Sequence, residues 1–230
     1  LLRISYPRNR QLIKMEKPVI IFGAKGIAKS VLEIFQSNQI TVYGFLDDDK
    51  STHQKVINDI PVLGLTDDNR FMKLIGNKCE AFIAYDDYKI RFHLTEMIIK
   101  SRKTMPVNAI HEKAFVVKSA DIGHGNFINS GSIIGSGSVI GQHCIIHSSV
   151  IVEQDVVIED FVQIGAGSII NTGVIIEKKA FIGSGVVIIA GVTIGTGARI
   201  GAGSVVISNV EKKETVFGNH ILKIFHFKKF

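Results

Sequence analysis

The sequence predicts two units of different architecture in one chain: a small Rossmann-like α/β unit, three layers deep with parallel strands, followed by a left-handed parallel β-helix. Three observations carry this. A continuous apolar run, Val19-Ile20-Ile21-Phe22, passes through Gly23-Ala24-Lys25-Gly26 into a helix-like stretch, the order of a buried parallel strand and its crossover helix. From Val116 to Val206 every sixth residue, sixteen positions in all, is Ile or Val. The change from one pattern to the other falls near Met105-Pro106-Val107.

Residues 1–14 are rich in Arg and Lys and precede Met15-Glu16-Lys17-Pro18, so they are read as a leader outside the fold. The α/β unit is expected over 15–110. After the strand at Val19 come a helix from Ile27 to about Phe35 and a strand from Val42 to Leu46 that ends in Asp47-Asp48-Asp49. A Gly64-centred loop, a strand from Ala81 to Tyr85 ending in Asp86-Asp87, and a helix from Ile90 to Ile99 complete it.

The β-helix is expected over 111–210. A period of six suits neither a 3.6-residue helix nor an isolated alternating strand, but it suits a triangular prism in which each hexad forms one short side. Three hexads close a coil, so residues eighteen apart stack. Two residues before each inward Ile or Val stands a small or modest side chain, as at Ser132, Ser138, Cys144 and Ala180, which is what a narrow interior admits. Five coils and a fraction span roughly 25 Å at ~4.8 Å per rung. The outward Val117, Ile133, Val139, Ile145, Ile151, Val157, Ile169, Ile175 and Val187 are more apolar than a solvated surface and are expected to be buried between subunits. Residues 211–230, with Phe225, Phe227 and Phe230, lose the period and are expected to fold back over an open edge.

Composition excludes several classes. A chain that is 46% hydrophobic is not disordered. No stretch approaches the ~18 to 20 apolar residues of a membrane span. Two cysteines make no disulfide framework and no zinc motif, which fits a reduced, cytoplasmic setting and no metal. The net charge of +6 is scattered, with no nucleic-acid recognition motif, and points to a small polyanionic ligand instead of a duplex.

The segments Ile20-Ile21-Phe22-Gly23-Ala24, Gly44-Phe45-Leu46-Asp47-Asp48, Pro61-Val62-Leu63-Gly64, Asn108-Ala109-Ile110-His111 and Ile200-Gly201-Ala202-Gly203-Ser204-Val205-Val206, in this order, give a chain that resembles the bacterial sugar acyltransferases, a family that includes sialic acid O-acetyltransferases and the N-acetyltransferases of UDP-4-amino-sugar biosynthesis. The resemblance runs from Lys17 to about Ile224. It implies a homotrimer in which acetyl-CoA lies along the β-helix between subunits, while the N-terminal unit holds a sugar or nucleotide-sugar acceptor for surface-polysaccharide or glycan synthesis.

Candidate acceptor-binding residues are Gly23, Ala24, Lys25 and Gly26, whose backbone can face a phosphate at a helix N-terminus or form a plain tight turn. Asp47 and Asp48 end a strand where a carboxylate can accept a ribose hydroxyl, or they form an acidic turn. Lys25 and Ile27-Ala28 depart from the dinucleotide fingerprint and from the His-Gly of the resembled family. The resemblance places the catalytic His-Glu pair at Gln154-Asp155 and the thioester-holding histidine at Gln163. Glutamine donates and accepts hydrogen bonds but is no base near pH 7. Cofactor-lining positions are Gln163, Thr172, Gly173, Ser184, Ala190, Gly191 and Ala202. His147, presented by a neighbouring subunit, is the alternative base. His143, His147 and His124 each read otherwise as exposed polar residues of a coil, and a metal site on His143 and His147 lacks a third ligand.

Overall fold

The computed structural model of the protein describes residues 17–218; the leader at 1–14 and the aromatic positions Phe225, Phe227 and Phe230 lie outside the described residues. The first unit runs β1 (Val19–Phe22), α1 (Ala28–Ser37), β2 (Val42–Leu46), β3 (Val56–Ile57), β4 (Ile60–Gly64), α2 (Asn69–Met72), β5 (Glu80–Ile83) and α3 (Tyr88–Arg102). Its sheet has the order β3-β4-β2-β1-β5. β1 lies inside the sheet, paired on both sides by β2 and β5, which is why all four of its residues are apolar and buried. Ile21, Phe45 and Phe82 pack under α1 on one side. On the other, Ile20, Phe22 and Leu46 pack under α3 through Leu94 and Ile98. The sheet is not wholly parallel: β3 and β4 pair antiparallel. Asn58 and Asp59 join them at φ +44° and +66°, the two left-handed residues of a tight hairpin, so the expected Gly64 loop is the end of a strand.

The second unit is a left-handed parallel β-helix of eighteen two-residue strands, from Ala109–Ile110 to Thr215–Val216, arranged as three sheets of seven, six and five strands. Ile133 pairs with Ile151 and Ile151 with Ile169, the spacing of eighteen set by the hexads. The first face carries Phe127, Ile145, Gln163, Phe181 and Arg199; the second carries Phe115, Ile133, Ile151, Ile169 and Val187; the third carries Asp121, Val139, Val157, Ile175 and Thr193. From Asn126 to Val206 both inward positions of each hexad are buried, and their buried hydroxyls are satisfied: Ser132 and Ser138 donate to the carbonyls of His147 and Glu153 at 2.9 and 2.7 Å.

The coil departs from the sequence reading at both ends. It begins one hexad earlier, at Ala109–Ile110, which pairs with Phe127–Ile128. After Val206 it slips by two residues: Val210 bridges Ile194 and Val216 pairs with Ile200. Residues 211–218 therefore extend the prism instead of folding back. Ile145 also differs from expectation. It is 1% exposed and lies with Phe127 in the core shared with α1 and the sheet, so its own chain covers it and no second subunit is needed.

Candidate functional site

The C-terminal ends of β1, β2 and β5 converge on one edge, which the Gly23–Gly26 loop shapes. Gly23 sits at φ +104°, and a Cβ there would lie 2.8 Å from the Ala84 carbonyl oxygen, so the turn admits no side chain. The Ala24 N–H donates to Asp47 Oδ2 at 2.7 Å and the Asp49 N–H to Asp47 Oδ1 at 2.8 Å. Asp47 is 3% exposed. Its carboxylate is thus a latch on the loop. Asp48 Oδ1 accepts from the Thr66 N–H and hydroxyl at 2.9 and 2.8 Å, yet the residue stays exposed. Lys25 pairs with Asp49, whose hydrogen bond raises the ammonium and holds the Asp49 carboxyl well below the usual carboxylate range.

Lys25, Asp47 and Asp48 line a cleft of about 490 Å³ with Tyr85, Ile90 and His93. The last three were missed in the sequence. Their signal is positional: Tyr85 follows the last strand, and Ile90 and His93 lie one helical turn apart at the start of α3. Burial raises the Tyr85 phenol, and the nearby Asp47 and Asp48 carboxylates raise it further, so it is a hydrogen-bond donor at neutral pH.

On the prism the predicted residues sort onto two edges. Gln154, Thr172 and Ala190 stack eighteen apart, beside Asp155, Gly173 and Gly191, along the edge between the second and third faces. Gln154 and Asp155 are exposed. Gln163 lies on the first face, and Ser184 and Ala202 run along the edge between the first and second faces. Face two stands between the two groups, so one chain does not bring Gln154 to Gln163. His147 lies on the Gln163 side: its Nε2 is 3.3 Å from Gln163 Nε2, and its ring meets Phe127 edge-on at 6.0 Å. Burial pushes the imidazole down, so it is neutral at pH 7 and able to accept a proton.

His143 is not the exposed coil residue expected. It is 1% exposed at the edge between the third and first faces, stacked on Phe161 at 5.0 Å beneath Thr95 of α3, and burial drives its pKa to about 3. It is a packing residue, separated from His147 by its position on the prism. Among the described residues no group of three His, Cys, Asp or Glu side chains is placed to hold a metal.

A larger cleft, about 860 Å³, opens between the start of α3 and the first face; Asp86, Arg91, Phe161, Gln163 and Phe181 line it. The segment that follows β5 and Gln163 thus open onto a common space.

Residues 18–98 match the PglD N-terminal domain, and residues 155–190 and 173–208 match the bacterial transferase hexapeptide (six repeats). The chain is 30% identical, over 88% of its length and 94% of the other chain, to a point mutant of perosamine N-acetyltransferase from Caulobacter crescentus, in complex with CoA and GDP-perosamine, with a TM-score of 0.81. It belongs to the hexapeptide-repeat sugar N-acetyltransferase family. The acetyltransferase domain of PglB from Neisseria gonorrhoeae, in complex with acetyl coenzyme A, is 26% identical over 88% of this chain and 96% of that one, with a TM-score of 0.80. WeeI from Acinetobacter baumannii is 25% identical over 89% and 98%, with a TM-score of 0.78. No curated protein matches the chain significantly. Among the described residues no helix is long and apolar enough to cross a membrane.

Proposed function

We propose that this member of the family transfers an acetyl group from acetyl-CoA to the amine of a nucleotide-linked sugar in the cytoplasm, for surface-polysaccharide or glycan synthesis. The carrying observation is that Asp86 and Asp87, just beyond the end of β5, and Gln163, whose amide meets His147, line one cleft. The relatives crystallised with CoA, acetyl coenzyme A and GDP-perosamine support the substrate classes. In this reading the α/β unit holds the acceptor through the Gly23–Gly26 loop, Asp48 and the residues of α3. The open edges at Thr172, Gly173, Ala190 and Gly191, and at Ser184 and Ala202, admit the pantetheine arm between subunits. The acceptor amine attacks the thioester carbonyl directly. Backbone N–H groups stabilise the oxyanion. Gln154 orients the amine, neutral His147 or solvent receives its proton, and the tetrahedral adduct collapses with cleavage of the C–S bond, CoA leaving as the thiolate and taking up a proton to become the free thiol.

A second reading rests on Gln154 itself, an exposed amide with no base function: a nucleotide-sugar-binding protein that retains the fold without turnover. Release of free CoA thiol from acetyl-CoA, measured against a panel of UDP-, GDP- and dTDP-linked amino sugars, separates the two. Acceptor-dependent release establishes transfer. Binding of acceptor without release establishes the silent protein.

A further inference from the structure

We infer that the larger cleft contains a diphosphate-binding subsite built from the upper coils of the prism and the first turn of α3. The inference rests on the acyltransfer reading for the identity of its ligand but not for its existence. Lys89, Arg91, Lys179, Arg199, Lys212 and Lys213 all line the cleft, and none of them makes an ion pair among the described residues. The two acids on its wall form an ion pair with none of these cations, although both lie near enough to favour the charged form of Arg91. Asp87 Oδ1 accepts the Lys89 N–H at 2.7 Å and caps α3. Asp86 turns its carboxylate toward the Gly26 Cα, within 2.4 Å of where a Cβ would stand.

Arg91 supplies the independent observation. It is 1% exposed, its Nη1 donates to the Tyr85 and Asp86 carbonyls, and its Nε and Nη2 have no partner. A guanidinium buried without a carboxylate is costly; burial lowers its pKa only to about 10, so it remains charged. That charge sits behind the cleft wall in a low-dielectric setting and adds to the potential of the exposed lysines. The edge column completes the geometry. Lys179, Gly197 and Lys213 stack one above the other, all in the left-handed region, and a Cβ on Gly197 would meet only Lys213 Cγ, at 3.8 Å. Two lysines whose backbones stand about two rungs apart, ~10 Å, thus flank a notch, the Lys179 ammonium lying over the Tyr88 and Phe92 rings. A diphosphate with its adjoining ribose fits that spacing and charge.

Both substrates of the proposed reaction carry a diphosphate, so calorimetry on the full chain should use CoA, dephospho-CoA, UDP, GDP and inorganic pyrophosphate as probes. In Lys212→Ala/Lys213→Ala the ligand that occupies the subsite should bind about tenfold or more weakly, with a shallower dependence on salt. Lys178→Ala, whose lysine is paired with Asp160 at 3.3 Å, should bind as the parent does. Loss of CoA and dephospho-CoA affinity with UDP and GDP unchanged assigns the subsite to the acyl donor; the converse assigns it to the acceptor. Either result supports the subsite. Affinities unchanged for all five probes in the double variant overturn it. A double variant that loses affinity while the parent shows no acetyl transfer with any acceptor leaves the subsite standing and removes the acyltransfer reading.

Discussion

Gln154 and Gln163 show how one residue type alters chemistry without altering fold. Both keep the hydrogen-bonding reach of the histidines expected there and lose the basicity. If positioning alone drives the reaction, the rate should be low near neutral pH and rise as the acceptor amine loses its proton, because general-base help worth ~10² to 10⁴-fold is missing. Gln154→His should then accelerate acetyl transfer at pH 7, with Asp155 adjacent to orient the ring, and His147→Ala should change it little. The reverse pattern in initial rates would make His147 the base. His143 offers a test of stability. The unfolded chain binds its proton near pH 6.5 and the folded chain only near 3, so the folded state loses stability as pH falls through this window, by up to about 1.4 kcal/mol per unit. His143→Asn, which tolerates φ +55°, loses the stack on Phe161 but also the titration. It should be less stable than the parent at pH 7, and urea midpoints should show that gap shrinking toward pH 4. A gap independent of pH would show that the ring does not titrate there.

At the scale of elements, the docking of α3 on the prism joins the two halves of the site. Tyr88, Phe92 and Thr95 lie on one helical face and meet Lys179, Phe161 and His143, which climb a single edge one rung at a time. Phe161 sits at φ +61°, a conformation that costs an L-residue about 1–2 kcal/mol, offset by the His143 stack and by the edge contact with Phe92 at 5.7 Å. A double-mutant cycle on Phe92→Ala and Phe161→Ala should give a coupling of about 0.5–1.5 kcal/mol in urea denaturation; additive losses would mean that the rings do not hold the units together. This interface was not legible in the sequence, whereas the hexads were. An inward Ile every six residues is a local constraint that each coil repeats. The slip after Val206 escaped a fixed six-residue step, which lands on Lys212 and passes over Val210 and Val216. The Asn58-Asp59 hairpin was readable from its turn residues. Asp47 marked the right edge of the sheet, but whether a carboxylate faces a ligand or its own backbone depends on contacts twenty-three residues away.

For the whole molecule, the division of the candidate residues between two edges of one prism decides what assembly the function needs. Gln154, Thr172 and Gly191 stand on one side of the second face and Gln163, Ser184 and Ala202 on the other. That face is apolar outward: Phe115 is 64% and Ile133 42% exposed, with Ile151, Ile169 and Val187 half-buried beside them. A ring of three chains that buries this face would bring one edge of each protomer against the opposite edge of the next, a heterologous contact that closes on itself. Light scattering should therefore give three times the monomer mass at micromolar concentration. Thr172→Trp and Ser184→Trp each place a bulky ring on one edge, and each should block acetyl transfer as a pure species. Co-expressed in equal amounts, they should recover about a quarter of the parental activity, because random mixing leaves about one interface in four with both edges clear. Recovery on mixing cannot arise if the two edges serve separate sites within one chain; absence of recovery, with mixed trimers verified by mass spectrometry, would place the whole acyltransfer site in a single protomer.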